Sequence, residues 1–166
     1  MKPRAMYSRI SIEADLDSLA KSKQATTVVL RALRDRLTPE EGRQAVAQLP
    51  RELKTLWRAD AAPDLPVKMH RREFVDRVRR EAGLPSRRRA EMLIDAVFAA
   101  LKEQLSAGEV DDIAAQLPTD LKSVWGAGMK RRARRRRSIA ARARRGGGHG
   151  RRDSPGAGPA PLAYGA

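Results

Sequence analysis

Residues 32–57 read ALRDRLTPEEGRQAVAQLPRELKTLW, and 68 positions later residues 100–125 read ALKEQLSAGEVDDIAAQLPTDLKSVW. Eleven of these 26 positions are identical without a gap, where unrelated chains of ordinary composition share roughly one or two. Conservative pairs add to the match, among them Arg34/Lys102, Asp35/Glu103, Thr38/Ser106 and Glu52/Asp120. The chain contains a duplication, and whatever local structure one copy adopts the other is expected to adopt too. The same shift continues upstream more faintly: Met6, Tyr7, Ile10 and Leu16 fall opposite Phe74, Val75, Val78 and Leu84.

Periodicity then decides the type of structure. Thr26, Val29, Leu30, Leu33 and Leu37 form a stripe at helical spacing, and Ile94, Val97, Phe98, Leu101 and Leu105 repeat it. Thr38-Pro39-Glu40-Glu41 and Ser106-Ala107-Gly108-Glu109 each match a capping box, in which a hydroxyl and a glutamate satisfy orphan helix amides. Pro39 falls at the first helical position, where its missing N–H costs nothing, and Ser86 is expected to cap the second long helix. Pro50 and Pro118 push the preceding leucine out of the helical region. Short helices are then expected to carry Leu53, Leu56 and Trp57, and Leu121, Val124 and Trp125. No strand pattern appears. The expected fold is all-α: two tandem copies of a roughly four-helix unit packed as one pseudo-symmetric domain. The units span 1–60 and 68–127, joined by a linker at 61–67 that contains Ala61-Ala62-Pro63-Asp64-Leu65-Pro66, and 128–166 form a disordered tail.

The paired Gln-Leu-Pro elements at 48–50 and 116–118 carry a family resemblance. So do the Leu-(Thr/Ser)-x-x-Glu stretches before them and Phe74-Val75-Asp76-Arg77-Val78. On these residues the chain resembles a bacterial family known as domain of unknown function 2267, over about residues 5–127. The resemblance implies an all-helical duplicated domain in a bacterial cytoplasm and implies no activity. The arginine-rich tail lies outside it.

Charge is distributed unevenly. Residues 1–129 hold 23 Lys/Arg and 19 Asp/Glu, whereas residues 130–152 hold 12 Lys/Arg and no acid. The net charge of +15 and the pI of 11.3 therefore describe a tail rather than a basic globular body. Its cations are Lys130, Arg131, Arg132, Arg134, Arg135, Arg136, Arg137, Arg142, Arg144, Arg145, Arg151 and Arg152. Such a run repels itself and buries no apolar area. Guanidinium binds phosphate in a fixed fork, so non-specific DNA or RNA binding is the expected role, without base readout. Two other readings compete: the tail contacts the acidic stretch 90–129 and regulates the body, or it is a dispensable extension that meets anionic membrane. Ser138, just after four arginines, is a candidate phosphorylation brake. Within the body a secondary basic patch is expected from Arg71, Arg72, Arg79, Arg80, Arg87, Arg88 and Arg89.

The search for catalysis returns nothing. Cys is absent, which removes thiolate chemistry and cysteine metal sites. His70 sits among basic residues and His149 in the glycine spacer 146–150, neither with a nucleophile or metal-ligand spacing. Asp111-Asp112 with Glu109 reads as a solvated helix face, because adjacent helical residues diverge by about 100°. Gln48 and Gln116 are read as amides serving backbone freed at the prolines, Trp57 and Trp125 as core plugs. Lys54 and Lys122, three residues ahead of the indoles, are candidate cation–π partners. No cofactor or metal is expected, and no apolar run approaches the ~20 residues that span a bilayer. With no leader pattern the expected location is the cytoplasm, in association with the nucleoid. The primary expectation is a non-enzymatic interaction module. The alternative is a small-ligand receptor or enzyme with its site between the two units.

Overall fold

The computed structural model describes residues 3–126, and every regular element among them is helical. They are α1 (Pro3–Ala14), α2 (Leu19–Arg36), α3 (Pro39–Gln48), α4 (Arg51–Trp57), α5 (Arg71–Glu81), α6 (Arg87–Lys102) and α7 (Ala107–Gln116). A further helical segment, α8, covers residues 119–126. The starts of α5 to α8 each fall 68 positions after those of α1 to α4.

The register has local causes that recur in both halves. Ser18 and Ser86 cap α2 and α6 by accepting from the amides of Lys21 (3.2 Å) and Arg89 (3.3 Å). Both capping boxes form: Thr38 N and Ser106 N donate to the carboxylates of Glu41 (2.8 Å) and Glu109 (2.7 Å). The first helix of each half ends on a left-handed residue, Asp15 at φ 53° and Gly83 at φ 63°. There the amides of Leu16 and Leu84 reach back to Ser11 O and Arg79 O, both at 2.8 Å. That is the Schellman closure of a helix C-terminus.

The stripes read from sequence become one core. Val29, Leu30, Ile94, Val97 and Phe98 are wholly buried, with Ile10, Phe74, Leu53 and Leu121 around them. Met6, Tyr7 and Ile10 are as buried as Phe74, Val75 and Val78, so the faint upstream match marks core positions. The halves do not pack separately. α1 lies mainly on α6 as well as on α2, α5 lies on both α6 and α2, and α3 meets α7.

Ion pairs follow the same crossing. Arg9 on α1 binds Glu13 (2.9 Å) and reaches Glu103 at the end of α6. Arg77 on α5 binds Glu81 (2.7 Å) and reaches Asp35 on α2 (2.6 Å). Each trio is the other shifted by 68 positions. Asp35 is buried and also accepts from Arg34 Nε (2.9 Å), so its charge is fully paired.

The first linker residues are held too. Arg34 donates to the carbonyls of Trp57 (2.9 Å), Asp60 (2.8 Å) and Ala61 (3.2 Å), which caps the C-terminus of α4. Val67 N donates to Asp35 O, and Arg36 Nε to Met69 O, both at 2.7 Å. Three consecutive residues of α2 thus fasten the connection between the halves.

Candidate functional site

The tail cations from Lys130 to Arg152 lie outside the described residues, as do Ser138 and His149. The seven helical arginines of the expected patch divide into two groups. Arg87 Nε and Nη2 grip both oxygens of Asp76, at 2.5 and 2.6 Å. Arg89 binds Asp15 through its carboxylate (2.6 Å) and its carbonyl (2.7 Å), and Arg71 stands 3.6 Å from Glu91. These three cations are largely neutralised.

Arg72, Arg79, Arg80 and Arg88 have no acid in ion-pair range among the described residues. Arg72, Asp76, Arg79 and Arg80 project from one side of α5, opposite its buried Phe74, Val75 and Val78. Of these, Asp76, Arg79 and Arg80, with Glu73, Pro85, Ser86 and Arg87, line an open groove of about 560 Å³ where α5 turns into α6. Asp76 is held below the usual carboxylate range by its hydrogen bonds from Arg87, with Arg79 and Arg72 adding to the pull. It stays charged and orients Arg87 rather than acting as an acid. Glu73 is spent on the helix start, accepting from His70 N at 2.7 Å. The groove therefore keeps a surplus of guanidinium.

The other half shows that the fold does not need this surplus. Opposite Asp76, Arg79, Arg80, Arg87 and Arg88 stand Ser8, Ser11, Ile12, Leu19 and Ala20. Both halves nevertheless build the same helix end and serine cap. Ile12 is 70% exposed and Leu19 38%, so this face carries no packing load in the first half either.

Other sequence candidates resolve as follows. Trp57 and Trp125 are each 4% exposed and sit in the core as the expected plugs. The ammonium over an indole belongs to Lys102, 4.7 Å from the Trp125 ring, rather than to Lys122. Helical side chains lean toward the N-terminus, which carries Lys122 away from a tryptophan that follows it, while Lys102 arrives from α6. Lys102 also donates to Trp125 O, as its repeat partner Arg34 does to Trp57 O. Phe98 packs against the same indole at 5.0 Å and 59°. Gln48 Oε1 and Gln116 Oε1 are buried without a hydrogen-bond partner, so neither amide oxygen is spent at the proline breaks. Asp111 and Asp112 are exposed, and no group of three metal-ligating side chains occurs among the described residues. Among those residues no helix is long and apolar enough to cross a membrane.

Sequence reasoning missed the arginines that matter most to the fold, Arg9, Arg34 and Arg77. It also missed a cavity between α1, α4 and the turn after α6, where Glu52 faces Gln104. Comparison of the repeat partners Gln104 and Arg36 could have raised it.

Comparison with known proteins gives a family and no activity. No curated protein matches the chain at a meaningful level. The model of the family described as "Uncharacterized conserved protein (DUF2267)" matches residues 4–124, the span of the helical body and most of the chain. The duplicated helical protein described above belongs to that family.

Proposed function

We propose that the chain is a non-catalytic helical module that binds nucleic-acid phosphates without reading sequence. On this reading the two repeat copies form one pseudo-two-fold body that presents the α5–α6 arginines, while Lys130 to Arg152 supply a second set of cations. The observation that carries the reading is the unpaired guanidinium surplus of Arg79, Arg80 and Arg88, at positions that the sister half fills with the neutral Ser11, Ile12 and Ala20. On α3, by contrast, Arg43 pairs with Glu40 three residues away. Phosphate suits this face because guanidinium stays charged at any physiological pH and binds in a fork. The reciprocal pairs Arg9–Glu103 and Arg77–Asp35 support the pseudo-symmetric body. A nucleoid-associated, cytoplasmic setting follows from the proposed partner.

The test is a salt titration of short duplex DNA by fluorescence anisotropy, on the full-length chain and two variants. The log–log salt slope scales with the number of phosphates neutralised, at roughly 0.9 for each. Arg72→Gln/Arg79→Gln/Arg80→Gln is expected to lower the slope by about 2 to 3. Replacing the twelve tail cations by glutamine is expected to lower it by up to about 11. Unchanged slopes in both variants would reject the reading. Tighter binding to anionic vesicles than to DNA or RNA would move the tail to the membrane reading.

A further inference from the structure

The cavity missed from sequence is a second place where the two halves differ in chemistry. It holds about 460 Å³ and is lined by Met6, Pro50, Arg51, Glu52, Leu53, Thr55 and Gln104. That volume lies within the range of small-molecule sites. Its floor is apolar, with Met6 3% and Leu53 1% exposed.

Shifting the lining by 68 positions gives the corresponding place in the other half, which is filled. There Phe74 stands for Met6, Asp120 for Glu52 and Arg36 for Gln104. The Arg36 guanidinium occupies it, 3.5 Å from the Asp120 carboxylate and donating from Nε to Met69 O at 2.7 Å. In the cavity both large groups are cut back, Phe to Met and Arg to Gln. The carboxylate remains.

That carboxylate is left without its cation. Among the described residues Glu52 has no ion-pair partner, and Arg51, its exposed chain neighbour, does not supply one. Gln104 Nε2 is buried without a hydrogen-bond partner among the described residues. Burial raises the Tyr7 pKa, and its hydrogen bond to the Glu52 carboxylate and that group's charge raise it further, so the phenol stays neutral beside the carboxylate. An apolar pocket with a half-buried carboxylate that no cation among the described residues pairs calls for a cation to complete it. The sister half gives its shape: planar, with N–H groups, carried on an aliphatic stem.

We propose that this cavity binds a small organic cation, an amidinium or guanidinium borne on an apolar body, with Glu52 as its counter-ion. The apolar part would lie on Met6, Pro50 and Leu53. Arg51, exposed and solvent-screened, sets only a modest repulsion at the entrance.

Benzamidine is the probe, titrated into the full-length protein and followed by amide shifts of residues 52–55 and 104. Saturable shifts confined to this region are expected, and neutral benzamide should bind about tenfold or more weakly. Glu52→Gln should weaken benzamidine by a similar factor. Gln104→Arg should abolish binding while raising the thermal midpoint, because it installs the cation that the sister half already carries. Equal binding of benzamide and benzamidine would overturn the proposal. So would undiminished binding to folded Glu52→Gln or Gln104→Arg protein, or the absence of saturable shifts in the wild type.

Discussion

Gly83 and Asp15 hold the same left-handed turn in the two halves, and only one of them is a glycine. A Cβ added at Gly83 would meet nothing within 4 Å, so any penalty there is purely conformational. Gly83→Ala should therefore destabilise the protein by about 1 kcal/mol in chemical denaturation, with no change in packing. Asp15 tolerates the turn as short polar residues do, and its carbonyl and carboxylate both serve Arg89. A second residue-scale contrast is Arg34 against Lys102. Burial lowers the Lys102 pKa to about 8, with Asp95 acting in the opposite direction. Unfolded, the same lysine titrates near its ordinary value of 10.5. Between these two values the unfolded chain holds the extra proton, so this group makes stability rise with pH across that window. In Lys102→Arg protein the cation no longer titrates, and that rise should vanish from denaturation midpoints measured between pH 7.5 and 10.5.

Helices are the level at which the sequence is most legible, and the reason is that their signals are local. The threonine and serine caps, the prolines and the apolar stripes act within a few residues of where they stand, and each half repeats them. Ser18 caps α2 as Ser86 caps α6, and with Lys21 and Arg89 three residues on, neither start carries the capping-box glutamate that marks α3 and α7. Charge partners are hidden for the opposite reason. Nothing local to Arg9 or Arg77 says that its acid lies on a helix of the other half, so a run of arginines looks like one patch when part of it is already paired. Arg34 is the sharpest case, since its guanidinium closes α4, binds Asp35 and fastens the linker at once. Arg34→Met would leave Asp35 with Arg77 alone and three carbonyls without their donor. A loss of roughly 2–4 kcal/mol is expected, read from urea unfolding followed by tryptophan fluorescence.

At the scale of the molecule, the crossing of α1 onto α6 and of α5 onto α2 makes each half incomplete by itself. A fragment ending at residue 67 would expose the faces of Met6, Tyr7 and Ile10 that α6 covers, and residues 68–166 would expose Phe74 and Val78 toward the missing α2. Neither fragment should show a cooperative thermal transition alone by circular dichroism, whereas mixing the two should restore one. The crossing also sets a schedule for synthesis. Roughly ninety residues separate the apolar side of α1 from its partner on α6. At about 5–20 residues per second, a nascent chain carries that side uncovered for several seconds or longer. A ribosome-associated chaperone that binds α1 would thus release it only after α6 has emerged.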